Sequence, residues 1–351
     1  MSENIDQQRR TVFGVTAKGI ALSGFAAVAG ALAADVGAVP ARGNGLDGLG
    51  ALKRIHAGPL DVGYFDIGPR QGSPVLLLHG FPYDIHSYQE VAPMLASHGC
   101  RVVVPYLRGH GATRFRDDDE PRSGQQAAIG ADVIDLMDAL QIRNAVLAGY
   151  DWGGRAACVV AALWPERCRG LVSVNGYLIQ DIAGAARPAP ARIEWGLWYQ
   201  HYFQTERGRA GLVANRSEIA RILWKNNSPG WAFDDATFDR TASAFDNPDF
   251  VDVVIHSYRH RMGLADGVAR YSEVETRLAA LPPIAVPAIT LDGGADGVVP
   301  ATDGRSAAAR FSGRRIHRVV EGAGHNLPQE APGPFVDSVL ELVASSASHQ
   351  E

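Results

Sequence analysis

A carboxylate stands at the centre of a motif that presents nucleophiles. Residues 149–153 read Gly-Tyr-Asp-Trp-Gly, which has the small-x-nucleophile-x-small spacing of a sharp turn between a strand and a helix. Its glycines let the backbone pass close to other chain segments. Asp151 stands where such turns often carry serine. A carboxylate that attacks an electrophilic sp3 carbon forms an alkyl ester, which suits epoxides and alkyl halides better than amides.

Two later residues could assist a nucleophile at position 151. Asp296 follows a predicted strand in a G-x-x-D-x-x-x-P frame, which favours it over Asp292 and Asp303. His325 follows the last predicted strand, and a histidine oriented by a carboxylate can act as a general base. The alternatives are a buried structural carboxylate at Asp151 and a surface loop histidine at His325.

Alternating strands and helices must position these residues. Several predicted strands are continuous apolar runs, which indicates burial on both faces, as in a parallel sheet. The alternation predicts a right-handed, doubly wound, mostly parallel α/β sheet. Strands are predicted at 62–68, 74–78, 100–105, 145–148, 171–175, 284–291 and 316–320, and helices at 87–98, 127–140, 155–163 and 333–345.

The regular alternation of predicted strands and helices ends at Tyr177. The following residues are rich in aromatic and charged side chains at helical spacing and contain no convincing buried strand. We interpret them as an inserted helical lid whose aromatic residues suggest an apolar pocket. The predicted boundaries are a linker at 34–54, a core at 55–178, the lid at 179–280 and the second part of the core at 281–351.

Residues 1–33 are typical of an export signal. The pair Arg9 and Arg10 precedes an uncharged run that ends near an A-x-A cleavage site at 31–33. The run is short for a stable membrane span of ~20 residues. Acidic residues before the pair and a lysine inside the apolar stretch depart from the pattern. We expect export through the twin-arginine route, to the periplasm or beyond, with an alanine-rich extension on a cytoplasmic enzyme as the alternative.

Composition limits the possible partners. The chain has 351 residues, 46% of them hydrophobic, and a net charge of -5, with no basic run that would indicate a nucleic-acid partner. Three cysteines, Cys100, Cys158 and Cys168, do not make a disulfide framework or a metal pattern. We expect no metal and no organic cofactor. The sequence does not indicate an oligomeric state.

The chain order of nucleophile, acid and histidine resembles that of the α/β-hydrolase fold family. Each of Asp151, Asp296 and His325 follows a predicted strand, at the sheet edge where such folds bind ligands. The resemblance covers about residues 55–345. Members of this family with an aspartate nucleophile are mostly epoxide hydrolases and haloalkane dehalogenases.

Three short segments resemble the epoxide hydrolases more than the dehalogenases. Residues 199–204, Tyr-Gln-His-Tyr-Phe-Gln, are similar to the Y-Q-x-Y-F-Q segment of soluble epoxide hydrolases, and 257–259, Ser-Tyr-Arg, look like their W-Y-R segment. Residues 79–82 match their H-G-F-P loop. The resemblance implies that Tyr199 and Tyr258 donate hydrogen bonds to the ring oxygen. The alternatives are Tyr202 in place of the first and simple lid packing for the second.

The resemblance also implies a mechanism in two halves. The attack by Asp151 on an epoxide carbon would give an ester, which water activated by His325 and Asp296 would hydrolyse to a vicinal diol. The backbone N–H groups of Phe81 and Trp152 would form the oxyanion hole. Trp152, Tyr199 and Tyr258 would contact a small apolar substrate.

Other functions stay open. The first alternative is a haloalkane dehalogenase with the same three residues, since Trp152 follows the nucleophile in both classes. The paired tyrosines favour the epoxide, because halide departure needs no proton. Fluoroacetate dehalogenases carry Asp-Arg-x-x-Arg at this turn to bind a carboxylate. Here Trp152 occupies the position of the first arginine and only the second, Arg155, is present, so this resemblance is weak. A binding protein that lacks catalysis is the remaining alternative.

Overall fold

The structure is a computed structural model that describes residues 48–347. The predicted export signal and most of the predicted linker lie outside the described residues, so both stay predictions. The first strand begins at Lys53, inside the range assigned to the linker. No helix of the described part combines the length and apolar character that a membrane crossing would need.

Nine strands form one sheet in the described part of the chain, in the order β1-β2-β4-β3-β6-β7-β8-β9, with β5 paired to β2. All pairs from β4 to β9 along this order are parallel, and the pairs that involve β2 are antiparallel. The predicted mostly parallel α/β sheet is therefore confirmed. The strands are Lys53–Ala57 (β1), Leu60–Ile67 (β2), Ser73–Leu78 (β3), Cys100–Pro105 (β4), Arg114–Phe115 (β5), Ala145–Gly149 (β6), Cys168–Val174 (β7), Ala288–Gly293 (β8) and Arg315–Val320 (β9).

Helices cover the sheet and fill the long connection between β7 and β8. The α-helices are Val91–Ser97 (α1), Gln126–Ala139 (α2), Asp151–Leu163 (α3), Ala191–Gly196 (α4), Trp198–Tyr202 (α5), Glu206–Asn227 (α6), Asp235–Ala242 (α7), Phe250–Arg261 (α8), Ser272–Ala279 (α9), Leu327–Glu330 (α10) and Pro332–Ala347 (α11). Short 3-10 helices lie at Ile85–Tyr88, Pro165–Arg167, Ser243–Asp246, Ala269–Tyr271 and Arg305–Arg310.

The central strands are buried because helices pack on the sheet. Helix α1 contacts α11 and α2 contacts α3, and each of these pairs also contacts strands. Residues 75–78 of β3 and 145–149 of β6 are fully buried, as their continuous apolar sequence predicts. The end of β6 thereby delivers Asp151 to a sheet edge that lies beside the end of β3.

Strands β1, β5 and β8 differ from the sequence-based expectation. The two-residue β5 is too short to give an apolar pattern. The sequence does not predict β1, because most of its side chains are polar and exposed and give no apolar pattern. Strand β8 begins at Ala288 rather than 284, and Ile284 makes only an isolated bridge to Phe311. Pro287 has no N–H to donate to a neighbouring strand, which explains the late start.

Residues 179–280, all of them described, contain helices α4 to α9 and no strand. Helix α6 is interrupted at Asn215, whose φ of -131° is not helical. This region, which we call the helical insertion, carries Tyr199 on α5 and Tyr258 on α8. Its helices follow the edge at which β7 ends, so they lie where they can reach the turn after β6.

Replacing Gly153 tests the tight packing of this turn. A Cβ at Gly153 would lie 1.9 Å from the carbonyl oxygen of Leu78, so Gly153→Ala forces the backbone apart. We expect it to lower the free energy of unfolding by about 2 kcal/mol or more. The matched control is Gly333→Ala in α11, where a Cβ would meet no atom within 4 Å. Urea unfolding of both variants measures the difference, and equal midpoints would contradict the argument.

Candidate active site

The turn after β6 holds Asp151 in a strained backbone conformation. Asp151 is the first residue of α3 and has a φ of 48°, in the left-handed region that aspartate seldom adopts. The turn can fold back on itself because its glycines lack side chains: a Cβ at Gly149 would lie 2.6 Å from the carbonyl carbon of Gly153. The sequence motif therefore forms the sharp turn that its spacing predicts.

The two carboxylate oxygens of Asp151 face different partners. The N–H of Phe81 donates to Oδ1 at 2.7 Å, and Oδ2 lies 3.9 Å from Nε2 of His325. Burial alone would raise the pKa of Asp151. Interaction with His325, the charge of Arg155 and the N–H of Phe81 outweigh burial, so this pKa is lowered. Asp151 is therefore ionised at neutral pH, as a nucleophile must be.

His325 is held between two carboxylates. Its Nδ1–H donates to Oδ2 of Asp296 at 2.8 Å, and Oδ1 of Asp296 accepts from the N–H groups of Val298 and Val299, each at 2.8 Å. Burial would lower the pKa of His325, but the negative charges of Asp296 and Asp151 raise it to about 10. Asp296 is buried too, yet the charge of His325 keeps its pKa lowered. Of the three candidate aspartates, Asp292, Asp296 and Asp303, the second is the one that contacts the imidazole of His325.

An asparagine that the sequence motifs do not indicate also holds Asp296. The side-chain Nδ2 of Asn175 donates to Oδ2 of Asp296 at 3.2 Å. Asn175 has a φ of 66° directly after β7, and Gly176 follows with a φ of 80°. An Asn-Gly pair at a strand end is a recognisable turn signal, and its position at the same sheet edge could have identified it.

A second overlooked group links the insertion to the loop of His325. Ser228, after the end of α6, accepts from the N–H of His325 at 3.1 Å and donates to Oε1 of Glu330 at 2.6 Å. Glu330 also accepts from the N–H of Gly324 at 2.8 Å. We call Ser228, Gly324 and Glu330 the serine clasp. Nothing in the sequence indicates it, because Ser228 lies about a hundred residues from its partners.

The loop after β3 is ordered by His79. Its Nε2 accepts from the N–H of Leu107 at 3.1 Å, so its Nδ1 carries the proton and donates to the carbonyl of Gly80 at 2.9 Å. Burial lowers the pKa of His79, which keeps it neutral. The ring of Phe81 then packs between the core and the insertion, with centroids 5.5 Å from Trp152 and 5.4 Å from Tyr258.

The two predicted tyrosines lie side by side but in different surroundings. Their ring centroids are 5.3 Å apart, and burial raises the pKa of both hydroxyls, so both stay protonated at neutral pH. Tyr199 lines a cavity together with Asp151 and His325. Tyr258 does not line it: only 2% of it is exposed, and its hydroxyl accepts from the indole N–H of Trp152 at 3.2 Å.

The cavity has a volume of about 390 Å³. Besides Tyr258, three predicted site residues do not line it: Phe81, Trp152 and Asp296. The N–H of Phe81 donates to Asp151 and Asp296 accepts from His325, and both of these partners do line it. The wall is more polar than the apolar pocket that the sequence predicts. Its polar lining residues are Asn175, Gln180, Gln200 and Asn227, and its charged ones are Asp151, Arg155, Asp181, Arg187, Glu194, Arg261 and His325.

Residues 73–332 match the family model described as the alpha/beta hydrolase fold. The chain therefore belongs to the α/β-hydrolase fold family, as the motif order predicts.

Within this family, the chain is similar to members of two functional classes. The chain is 32% identical to epoxide hydrolase B of Mycobacterium tuberculosis over 169 residues, which are 44% of this chain and 45% of that protein. It matches a haloalkane dehalogenase of Mycolicibacterium paratuberculosis at 29% over 188 residues, 53% of this chain and 60% of that protein. The match thus spans less than half of the curated epoxide hydrolase.

A solved structure is more similar over its whole length. A crystal structure of a protein from Klebsiella pneumoniae, provisionally assigned there as an epoxide hydrolase, is 52% identical, with a TM-score of 0.83. The alignment covers 85% of this chain and 98% of that one. Together the comparisons support an epoxide hydrolase-like enzyme of the α/β-hydrolase type.

The raised pKa of His325 gives a direct test of the site geometry. Asp151→Asn removes one of the two charges that raise this pKa, so we expect the pKa to fall from about 10, and the imidazole to lose its proton at a lower pH. Titration of the His325 ring nitrogens by NMR measures the shift. Asp181→Asn removes another carboxylate from the cavity wall and should leave the titration near that of the wild type. An unchanged pKa in Asp151→Asn would show that the two side chains do not interact.

Proposed function

We propose that the protein hydrolyses epoxides to vicinal diols through an ester at Asp151. One observation carries the proposal: the ionised carboxylate of Asp151, the protonated hydroxyl of Tyr199 and the imidazole of His325 line the same cavity. An epoxide needs a nucleophile at carbon and a proton donor at oxygen, and this cavity offers both.

In the first half of the proposed reaction, Oδ2 of Asp151 attacks a ring carbon and the carbon–oxygen bond opens. Tyr199 gives its proton to the departing ring oxygen. Tyr258, which does not line the cavity, packs its ring against that of Tyr199, and its hydroxyl hydrogen-bonds with that of Tyr199. Because the pKa of Tyr199 is raised, its phenolate is a strong base that does not persist, which favours rapid reprotonation.

The charge of His325 changes as the ester forms. Before attack, two carboxylates hold it protonated at neutral pH. The ester of Asp151 is neutral, so the pKa of His325 falls and the imidazole can release its proton. That proton restores the hydroxyl of Tyr199, so both residues are neutral once the ester has formed. The imidazole thus becomes a base only after the intermediate exists.

In the second half, His325 takes a proton from water, and the hydroxide attacks the carboxyl carbon of the ester. Oδ1 becomes an oxyanion at the position where it already accepts from the N–H of Phe81. Trp152, at the start of α3, would supply the second N–H. As this intermediate collapses, protonated His325 gives its proton to the departing diol oxygen, and the new carboxyl of Asp151 returns a proton to His325. The carboxylate and the protonated imidazole are thereby both restored. Asp296 keeps Nδ1 of His325 protonated throughout. We further propose that the helical insertion acts as the cap over this site.

The alternative, halide release, has less support from the site. In that chemistry the indole N–H of Trp152 would bind the halide. Here Trp152 is fully buried and its indole N–H is donated to Tyr258 rather than to the cavity. The proton donor Tyr199 would have no purpose, because halide needs no proton to leave.

The variant His325→Gln tests the proposal in one measurement. Without the base, the ester should accumulate, since attack by Asp151 does not need His325. With styrene oxide, mass spectrometry should find the Asp151 peptide heavier by the whole epoxide. The control Asp151→Ala should show no adduct and no diol. With the wild type, a panel of epoxides should yield diols, while 1-haloalkanes release no halide; halide release without epoxide turnover would instead establish the dehalogenase.

Single-turnover kinetics distinguish the roles of Tyr199 and Tyr258 in formation of the ester. Tyr199→Phe should slow formation of the ester by about 10² or more, because it removes the proton donor that lines the cavity. Tyr258→Phe should have a smaller effect, about tenfold, because its hydroxyl lies behind Tyr199. Tyr202→Phe, on the same helix and outside the cavity lining, is the matched control. The assignment fails if Tyr199→Phe forms the ester at the rate of the wild type.

A further inference from the structure

Two arginines lie one helical turn beyond residues of the proposed reaction. Arg155 follows Asp151 by four positions on α3, and Arg261 follows Tyr258 by three on α8. Residues at these spacings share a face of a helix. Both arginines line the cavity that also contains Asp151, Tyr199 and His325. Two different helices therefore each bring a guanidinium group to the same space.

Neither guanidinium group has a carboxylate partner among the residues that the structure describes. Only 4% of Arg155 is exposed, and its buried Nε has no hydrogen-bond partner there. The other carboxylates of the cavity wall are engaged elsewhere: Asp181 pairs with Arg187 at 2.7 Å and Glu194 with His201 at 2.7 Å. Among the described residues, the cavity thus holds two guanidinium groups without a salt bridge, and the charge of Asp151 acts on Arg155 without forming one.

Two like charges of this kind, one buried and one half-buried, are costly. A buried charge without a partner is destabilising, and buried polar groups normally find one. Burial and the like charge of Arg261 lower the pKa of Arg155, which indicates that the two cations disfavour each other. An anion between them would relieve both the repulsion and the missing hydrogen bonds. The fork of an arginine matches the two oxygens of a carboxylate.

We propose that Arg155 and Arg261 bind a carboxylate on the substrate, so that the enzyme acts on epoxides that bear a carboxylate group near the ring. This inference rests on the proposed epoxide chemistry and names its substrate class. One turn of helix is about 5.4 Å, so an anion held by Arg155 lies only a few atoms from the carbon that Asp151 attacks. The cavity of about 390 Å³ accommodates a compact acid of this kind. The substrate is then anionic rather than apolar.

The test compares 3-phenyloxirane-2-carboxylate with its carboxamide, which has nearly the same shape and no charge. We measure kcat/KM for both in the wild type, Arg261→Gln, Arg155→Gln and Arg155→Lys. Each Gln variant should lower the carboxylate-to-carboxamide ratio of kcat/KM by about tenfold or more, mainly through KM. The charge of Arg155 also lowers the pKa of Asp151, so Arg155→Gln is judged by this ratio and not by the turnover of either substrate alone. Arg155→Lys keeps the charge and should retain part of the ratio.

The control variant is Arg216→Gln. Arg216 lies on α6, pairs with Asp246 at 2.8 Å and does not line the cavity. Its loss changes the net charge equally and should leave the ratio unchanged. Arg155 is buried and its replacement could unfold the chain, so circular dichroism accompanies each variant. Arg261 is only half-buried, and its variant alone decides the test if Arg155→Gln does not fold.

A binding measurement separates this inference from the proposed reaction. Calorimetry with 3-phenylpropanoate and 3-phenylpropanamide needs no turnover. The wild type should bind the acid more tightly, and Arg261→Gln should abolish the difference while Arg216→Gln keeps it. If the carboxamide epoxide is opened and the ratio is the same in all variants, the arginine proposal is overturned and the epoxide chemistry stands. If the acid binds through Arg261 but neither epoxide is opened, the proposed reaction fails and the anion site stands.

Discussion

The site depends on the left-handed backbone of Asp151. A non-glycine residue in this conformation costs about 1–3 kcal/mol, so the surrounding packing must impose it. Here the start of α3 lies against the end of β3, with Gly153 in contact with the carbonyl of Leu78, and the N–H of Phe81 holds Oδ1 of Asp151. The parallel pairing of β3 with β6 fixes this approach. The sheet therefore holds the carboxylate in place before any substrate arrives.

Charge compensation organises the groups around that carboxylate. His325 lies between Asp151 and Asp296, while burial keeps the hydroxyl of Tyr199 protonated on the same cavity wall. The proposed ester formation removes one negative charge and changes the protonation of His325 without any movement of the backbone. The same wall carries Arg155 and Arg261, whose guanidinium groups form no salt bridge among the described residues. An anionic substrate would complete this balance.

The sequence predicts local and periodic features well. The mostly parallel sheet follows from the apolar runs, and Asp151, Asp296 and His325 meet because the carboxyl ends of neighbouring parallel strands share one edge. Contacts between distant segments have no such signal. Ser228 and Glu330 are remote in sequence from each other, and the position of Tyr258 behind Tyr199 depends on how α5 and α8 pack. The sequence predicts an apolar pocket from the aromatic residues of the insertion, but these residues pack mainly against one another and against Phe81. The cavity wall is therefore more polar than predicted.

The serine clasp also limits how freely this architecture can be recombined. Ser228 belongs to the insertion, whereas Gly324 and Glu330 belong to the second part of the core. A chimaera that received another insertion without a hydroxyl at this position would lose the bridge between Glu330 and the N–H of His325. Glu330 would keep only the backbone N–H groups of Gly324 and Asn326, and the N–H of His325 would keep only its longer bond to the carbonyl of Asn227. Insertion and core are therefore not independent modules: exchange of the one has to bring a matching residue at position 330 of the other.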